Sequence, residues 1–239
     1  MTSEKQTAWN ELNRRIVACE RCVRLREYCQ EVASQKRAAY QDWDYWGLPV
    51  PNFGDPNARL LIIGLAPAAH GGNRTGRVFT GDRSGDWLYR ALHKAGFANQ
   101  PTSVSRDDGL TLIDCAITNP CHCAPPENKP TKDEIANCSE WFGQTISLLP
   151  IQVVVALGQT AWTAFVDHAL MIGWLTGRRP HFSHGTEVPL DDQRRWLIGS
   201  FHPSPRNTST GRLTESMLNA VFAGARSRIQ RGESGCATN

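Results

Sequence analysis

The sequence predicts a single α/β domain built on a central, mostly parallel four-stranded sheet with helices on both faces. Three observations predict it. Four short apolar runs rich in branched residues look like strands buried on both faces. They end in loops rather than hairpin turns, and a helical pattern with its own start signal separates each run from the next. Parallel neighbours require such crossovers, because a two-residue turn can only reverse the chain.

The stretch 7–40 reads as one or two helices. The aromatic, proline-containing segment QDWDYWGLPVPNFGDP follows and is expected to cover the sheet edge. The strands are placed at 59–64, 110–118, 151–157 and 196–201. Ser84 opens a helix on GDWLYRALHKAG, Thr131 opens the next with Glu134 completing a capping box, Gly158 precedes QTAWTAFVDHAL, and Thr214 precedes ESMLNAVFAGARSRI. SHGTEVPLDD reads as a variable loop and 231–239 as a disordered tail, which leaves 1–230 as the domain. Loops leaving the carboxyl ends of parallel strands converge on one crevice, the usual ligand site of this architecture.

The balance of 26 basic and 23 acidic residues, net +3, is too mild to identify a polyanionic partner. Only five of the bases are Lys, and Arg74, Arg77, Arg83, Arg206 and Arg212 sit in glycine-rich loops, where a guanidinium fork suits phosphate. No window approaches the ~18 consecutive apolar residues of a membrane helix. The N-terminus MTSEKQTAWNEL lacks a basic-then-apolar signal pattern, so a soluble, cytoplasmic protein is expected. Its eight cysteines are then ligands or buried thiols rather than disulfides.

Cys19 and Cys22 form a Cys-x-x-Cys in a charged, helical segment; Cys121-His122-Cys123 and Cys138 lie far downstream. Two such places supply the four soft ligands that a metal centre needs. Zinc and an iron-sulfur cluster both remain open on spacing, Cys121 and His122 are rival ligands, and Cys29, Cys115 and Cys236 have no assigned role.

After the first strand comes GLAPAAHGGNRTGRVFTGD, which matches neither a P-loop nor a dinucleotide fingerprint. Its small residues permit close approach of backbone to a flat ligand, and Phe79 offers a stacking face. After the second strand, TNPCHCAPPENKPT brings Asn119 and Asn128 near the crevice, each with the paired donor and acceptor that a pyrimidine edge requires. After the last strand, His202 stands where strand becomes loop, ahead of a segment with Ser204, Arg206, Asn207, Thr208 and Ser209 that suits phosphate.

GLAPAA, NPCHCAPPENKP and FHPSP resemble the three motifs of the uracil-DNA glycosylase superfamily. The GxxRTGRxFTGD extension and the paired cysteines resemble its type-b, or fifth, family. The resemblance runs from about Cys19 to Arg212. It implies a structural 4Fe-4S cluster on Cys19, Cys22, Cys123 and Cys138, and DNA as the partner, double- and single-stranded, bound by a monomer. It implies base excision repair: a damaged base is flipped and its glycosidic bond hydrolysed to leave an abasic site. The best-known members carry a water-activating Asp at the position of Ala66 and a Gln at that of Leu65; here the acid closing the motif, Asp82, takes that role. The superfamily's wedge Leu is replaced by Arg206.

The expected site therefore has Asp82 and His202 as catalytic groups. Gly64, Leu65, Ala66, Phe79 and Asn128 hold the base, and Arg74, Ser204, Arg206 and Asn207 hold the DNA backbone. The small first motif predicts a range beyond uracil, including hypoxanthine and modified cytosines, and the absence of an evident Schiff-base lysine other than remote Lys129 predicts no lyase activity. The rival readings are a metal- or cluster-containing protein that binds DNA damage without cutting it, and a small-molecule enzyme of nucleotide metabolism.

Overall fold

In the computed structural model, which describes residues 2–191 and 195–235, the four expected strands lie side by side and parallel. The strands are β1 (Phe53–Gly54), β2 (Leu60–Ile63), β3 (Cys115–Thr118), β4 (Val153–Leu157), β5 (Glu187–Leu190) and β6 (Arg195–Ser200), in the order β1-β3-β2-β4-β6-β5. The antiparallel edge strands β1 and β5 were not expected. β5 falls within the segment read as a variable loop. It has one neighbour, its residues are largely exposed or half-buried, and it contains Pro189, which an edge strand tolerates. β3 is shorter than expected: Asp114 takes a left-handed φ of 55° and its carboxylate accepts from the Arg59 side chain, so the chain turns just before the ladder.

All of β2, β3 and β4 is buried, and successive residues serve opposite layers. Leu60, Ile62, Ile117, Val153, Val155 and Ile198 face the helices α4 (Arg83–Lys94) and α8 (Glu215–Gly235), meeting Leu88, Tyr89, Leu92, Phe222 and Ile229. Leu61, Ile63, Ala116, Val154 and Leu197 face α1 (Thr2–Val17), α5 (Lys132–Leu148) and α6 (Gln159–Met171), meeting Trp9, Phe142, Trp162 and Phe165. Each such fully buried aliphatic side chain is worth about 1.5–3 kcal/mol, so this alternation fixes the register.

Four local expectations are revised. Cys19 and Cys22 lie in the break between α1 and α2 (Val23–Gln35) rather than within a helix. α4 starts at Arg83, with Asp82 instead of Ser84 as its N-cap. α8 continues through Gly235, into the stretch read as a disordered tail; 236–239, with Cys236, lie outside the described residues. The aromatic segment before β1 does not simply cover an edge, as the next section describes. The capping box at Thr131 and Glu134 forms as expected. No helix among the described residues is long and apolar enough to cross a membrane.

Candidate active site

The loops that follow β2, β3 and β6 enclose a cavity of about 990 Å³ at the carboxyl ends of the strands. Its walls are 65–71, Arg74, Phe79 and Gly81 to Ser84 from the first loop, Asn119 and Asn128 from the second, and His202 with Ser204 to Arg206 from the third. Arg37 and Tyr40, just before the aromatic segment, and Trp43 within it complete one side, and Ser103 and Val104 another. Helix boundaries and edge strands can be sought in local patterns, but nothing local marks Tyr40 and Trp43 as cavity walls. Their signal is long-range, because they are placed by contact with Arg74.

The floor is built around an absence of side chain. A Cβ on Gly64 would collide with Oδ1 of Asn119 and lie 2.9 Å from two ring carbons of Phe79. Gly64 itself is buried behind Leu65 and Ala66, which face the cavity. Phe79 has φ 51°, a left-handed conformation that costs a bulky residue energy, and its ring stands 5.7 Å from that of His202 at an interplanar angle of 32°. Asn119 is 2% exposed, and its Oδ1 has no hydrogen-bond partner among the described residues. A buried, unsatisfied carbonyl in a cavity wall invites a ligand donor. Asn128, with φ 57°, is exposed on the three-residue helical turn Pro126–Asn128 at the rim.

Asp82 caps α4, its Oδ1 accepting from the backbone N–H of Gly85 at 2.9 Å. Its other carboxylate oxygen rests against Gly71, where a Cβ would strike it. Burial raises the carboxyl above its ordinary range, while the Gly85 and Ser84 amides and, more weakly, Arg74 pull the other way. Burial likewise lowers the His202 imidazole to about 4, so at neutral pH it is an uncharged ring with one N–H to donate. The cavity thus combines a constrained carboxylate, a neutral imidazole, an aromatic face and an unpaired amide.

Comparison with known proteins decides the family. Residues 51–226 match the model of the Uracil DNA glycosylase superfamily. The chain belongs to that superfamily. It is 48% identical over 218 residues to the type-5 uracil-DNA glycosylase of Mycobacterium leprae (strain TN), covering 90% of this chain and 93% of that one. To the type-5 uracil-DNA glycosylase of Pyrobaculum aerophilum it is 44% identical over 228 residues, 95% of this chain and 94% of the relative. A type-4 uracil-DNA glycosylase of Thermotoga maritima is more distant, 31% identical over 157 residues, 63% of this chain and 67% of the relative.

The backbone-contact residues divide on inspection of their surroundings. Ser204 and exposed Arg206 stand at the rim, on and before the short helix α7 (Pro205–Thr208). Asn207 instead donates from Nδ2 to the carbonyl of His202 at 2.8 Å and so braces the loop after β6. Arg74 also lines the cavity, but it is 2% exposed and enclosed by Tyr40 and Trp43. Arg77 is also buried, paired with Asp108 at 2.8 Å and bonded to Thr80 and Ser103.

Cys19, Cys22, Cys121, Cys123 and Cys138 lie where the α1–α2 break, the loop after β3 and α5 meet, with Cys29 of α2 beside them; Cys115 is in β3. All those described are free thiols. Trp141 Nε1 donates to Cys19 Sγ at 3.4 Å and Asn137 Nδ2 to Cys22 Sγ at 3.6 Å. Cys121 Sγ donates to the Cys123 carbonyl at 3.4 Å, and Cys29 Sγ to the Ala124 carbonyl at 3.6 Å. His122 is buried, and its Nδ1–H donates to the Val50 carbonyl, 2.8 Å away. Among the described residues no three His, Cys, Asp or Glu side chains converge closely enough to hold a metal ion. Arg24 of α2 and Glu134 of α5 form a bidentate pair beside the cysteines, both bonds 2.8 Å.

Proposed function

We propose that this chain is a uracil-DNA glycosylase that flips uracil and other deaminated or modified bases, among them hypoxanthine and modified cytosines, from DNA and hydrolyses the N-glycosidic bond. The observation that carries the reading is the placing of a carboxylate, Asp82, and a neutral imidazole, His202, on one cavity with the Gly64 clearance and the Phe79 face. Flipping costs a few kcal/mol of stacking and pairing, least at a mispair. The flipped base stacks on Phe79, its edge meets the Asn119 amide with Asn128 at the rim, and small Ala66 and Ala68 leave room for bases larger than uracil.

As the bond lengthens, negative charge gathers on the base and the neutral His202 N–H stabilises it. A donor fixed before the reaction favours the transition state over the ground state. The sugar becomes cation-like on the other side, where ionised Asp82 stabilises it and orients the attacking water. No lysine lines the cavity among the described residues, and Lys129 is exposed and paired with Glu127 at 3.2 Å, which supports hydrolysis without lyase chemistry. Ser204 and Arg206 contact the backbone of double- or single-stranded DNA, and the enzyme acts as a monomer.

The same reading assigns a 4Fe-4S cluster to Cys19, Cys22, Cys123 and Cys138. The donor set fits: four free thiols from three segments, two already accepting N–H bonds of the kind that stabilise thiolate sulfur. Bound there, a cluster would supply cross-linking rather than catalysis, tying α1 and α2 to the loop that carries Asn128. Ligation requires the four sulfurs to draw together from their present spacing.

The experiment is excision from single-uracil duplexes by wild-type, Asp82→Ala and His202→Ala proteins, scored by alkaline strand breakage at abasic sites. The reading expects cleavage by wild type and strong loss in both variants. Wild-type rates in both variants, or no abasic sites at all, remove it.

A further inference from the structure

Arg74 is spent in an unusual way. It lies on the short helix α3 (Gly72–Thr75), with its guanidinium carbon 3.9 Å from the Tyr40 ring centroid and 4.1 Å from that of Trp43. Nε donates to the His70 carbonyl and Nη2 to the Gly81 carbonyl, each at 2.8 Å. Nη1 is buried without a hydrogen-bond partner among the described residues. A buried cation with one donor unsatisfied is expensive, and the structure keeps it for the two bonds and the bracket that hold it.

Those bonds join two particular places. His70 precedes Gly71, the residue against which the free oxygen of Asp82 rests. Gly81 precedes Asp82 itself and can approach the guanidinium only because it lacks a Cβ, which would collide with Nη2. Arg74 therefore fastens together the two backbone segments that enclose the Asp82 carboxylate. No ion pair joins Arg74 to Asp82 among the described residues, so apart from a weak electrostatic pull the influence is exerted through the backbone.

We propose that Arg74, held between Tyr40 and Trp43, is a positioning residue that fixes the Asp82 carboxylate by bridging the His70 and Gly81 carbonyls. This rests on the assignment of Asp82 to the attacking water. Arg is required because its planar fork reaches two carbonyls at once, whereas Lys offers a point charge on a flexible stem. The proposal replaces the role of backbone-phosphate contact expected from sequence.

The test uses the full chain with Arg74→Gln and Arg74→Lys, measured by single-turnover excision at saturating enzyme alongside equilibrium binding of a uracil-containing duplex. Displacement of a reacting group by an ångström costs about 100-fold, and a rate-constant loss of that order is expected in both variants, with full amplitude and unchanged Kd. Four results overturn the proposal: a wild-type rate constant in both variants; a loss confined to Kd, which marks a phosphate contact; full rescue by Lys, which marks charge alone; or reduced amplitude at an unchanged rate constant, which marks a purely structural role. Asp82→Ala is run in parallel. Wild-type excision by that variant removes the function assigned to Asp82, whereas an inactive Asp82→Ala beside unaffected Arg74 variants removes only the present inference.

Discussion

Gly64 has no room for a methyl group, and that single restriction shapes the base pocket. A Cβ there would displace both the Asn119 amide and the Phe79 ring, so Gly64→Ala is expected to lower excision strongly while leaving the fold intact; circular dichroism and single-turnover rates together check this. Asp82 carries a second residue-scale prediction. Because burial raises its folded pKa, the folded protein holds this proton to higher pH than the unfolded chain does. Wild-type stability therefore declines as pH rises from the unfolded carboxylate range, about 3.9, through the raised folded value. Asp82→Asn keeps a good N-cap and escapes that decline, so its Tm should exceed that of wild type at neutral pH, with the difference shrinking in acid. His202, lowered to about 4, adds no titration near pH 6.5 and changes charge only in acid.

At the scale of elements, α4 and the first-motif loop are one device. Gly85, in the first turn, packs directly under the Phe79 carbonyl, and its amide caps onto Asp82. Gly85→Ala should push the helix start away from Phe79 and cost both Tm and rate, whereas Thr131→Ala, which opens the α5 capping box far from the base, should cost about 1 kcal/mol of stability and leave the rate constant unchanged. The four central strands were legible because burial on both faces leaves uninterrupted apolar runs. β5 was not, because one-sided pairing leaves exposed Glu187 and Pro189 in a run that resembles a loop. Asp82 as the motif's acid was legible only through the family resemblance. Its capping geometry was not, because Ser84 is an equally good local start signal and tertiary contact with Gly71 selects between them.

At the scale of the molecule, the sheet brings three loops to one edge, and the segment that follows α2 closes the cavity from a fourth direction. That last contribution left no periodic signature, since Tyr40 and Trp43 are recruited by Arg74 across the chain and Arg24 by Glu134. If a cluster joins Cys19 and Cys22 to Cys123 and Cys138, Cys22→Ser should remove visible absorption and lower Tm, and it should act on the rate only through the folded fraction. The central claim is that Asp82 performs the water-directed step from the end of the motif while Ala66 leaves its usual position empty. Single-turnover excision of uracil by Asp82→Asn, at saturating enzyme and neutral pH, tests it most directly. A fall of at least about 100-fold in the rate constant with duplex binding retained is predicted, and a rate constant equal to that of wild type would contradict it.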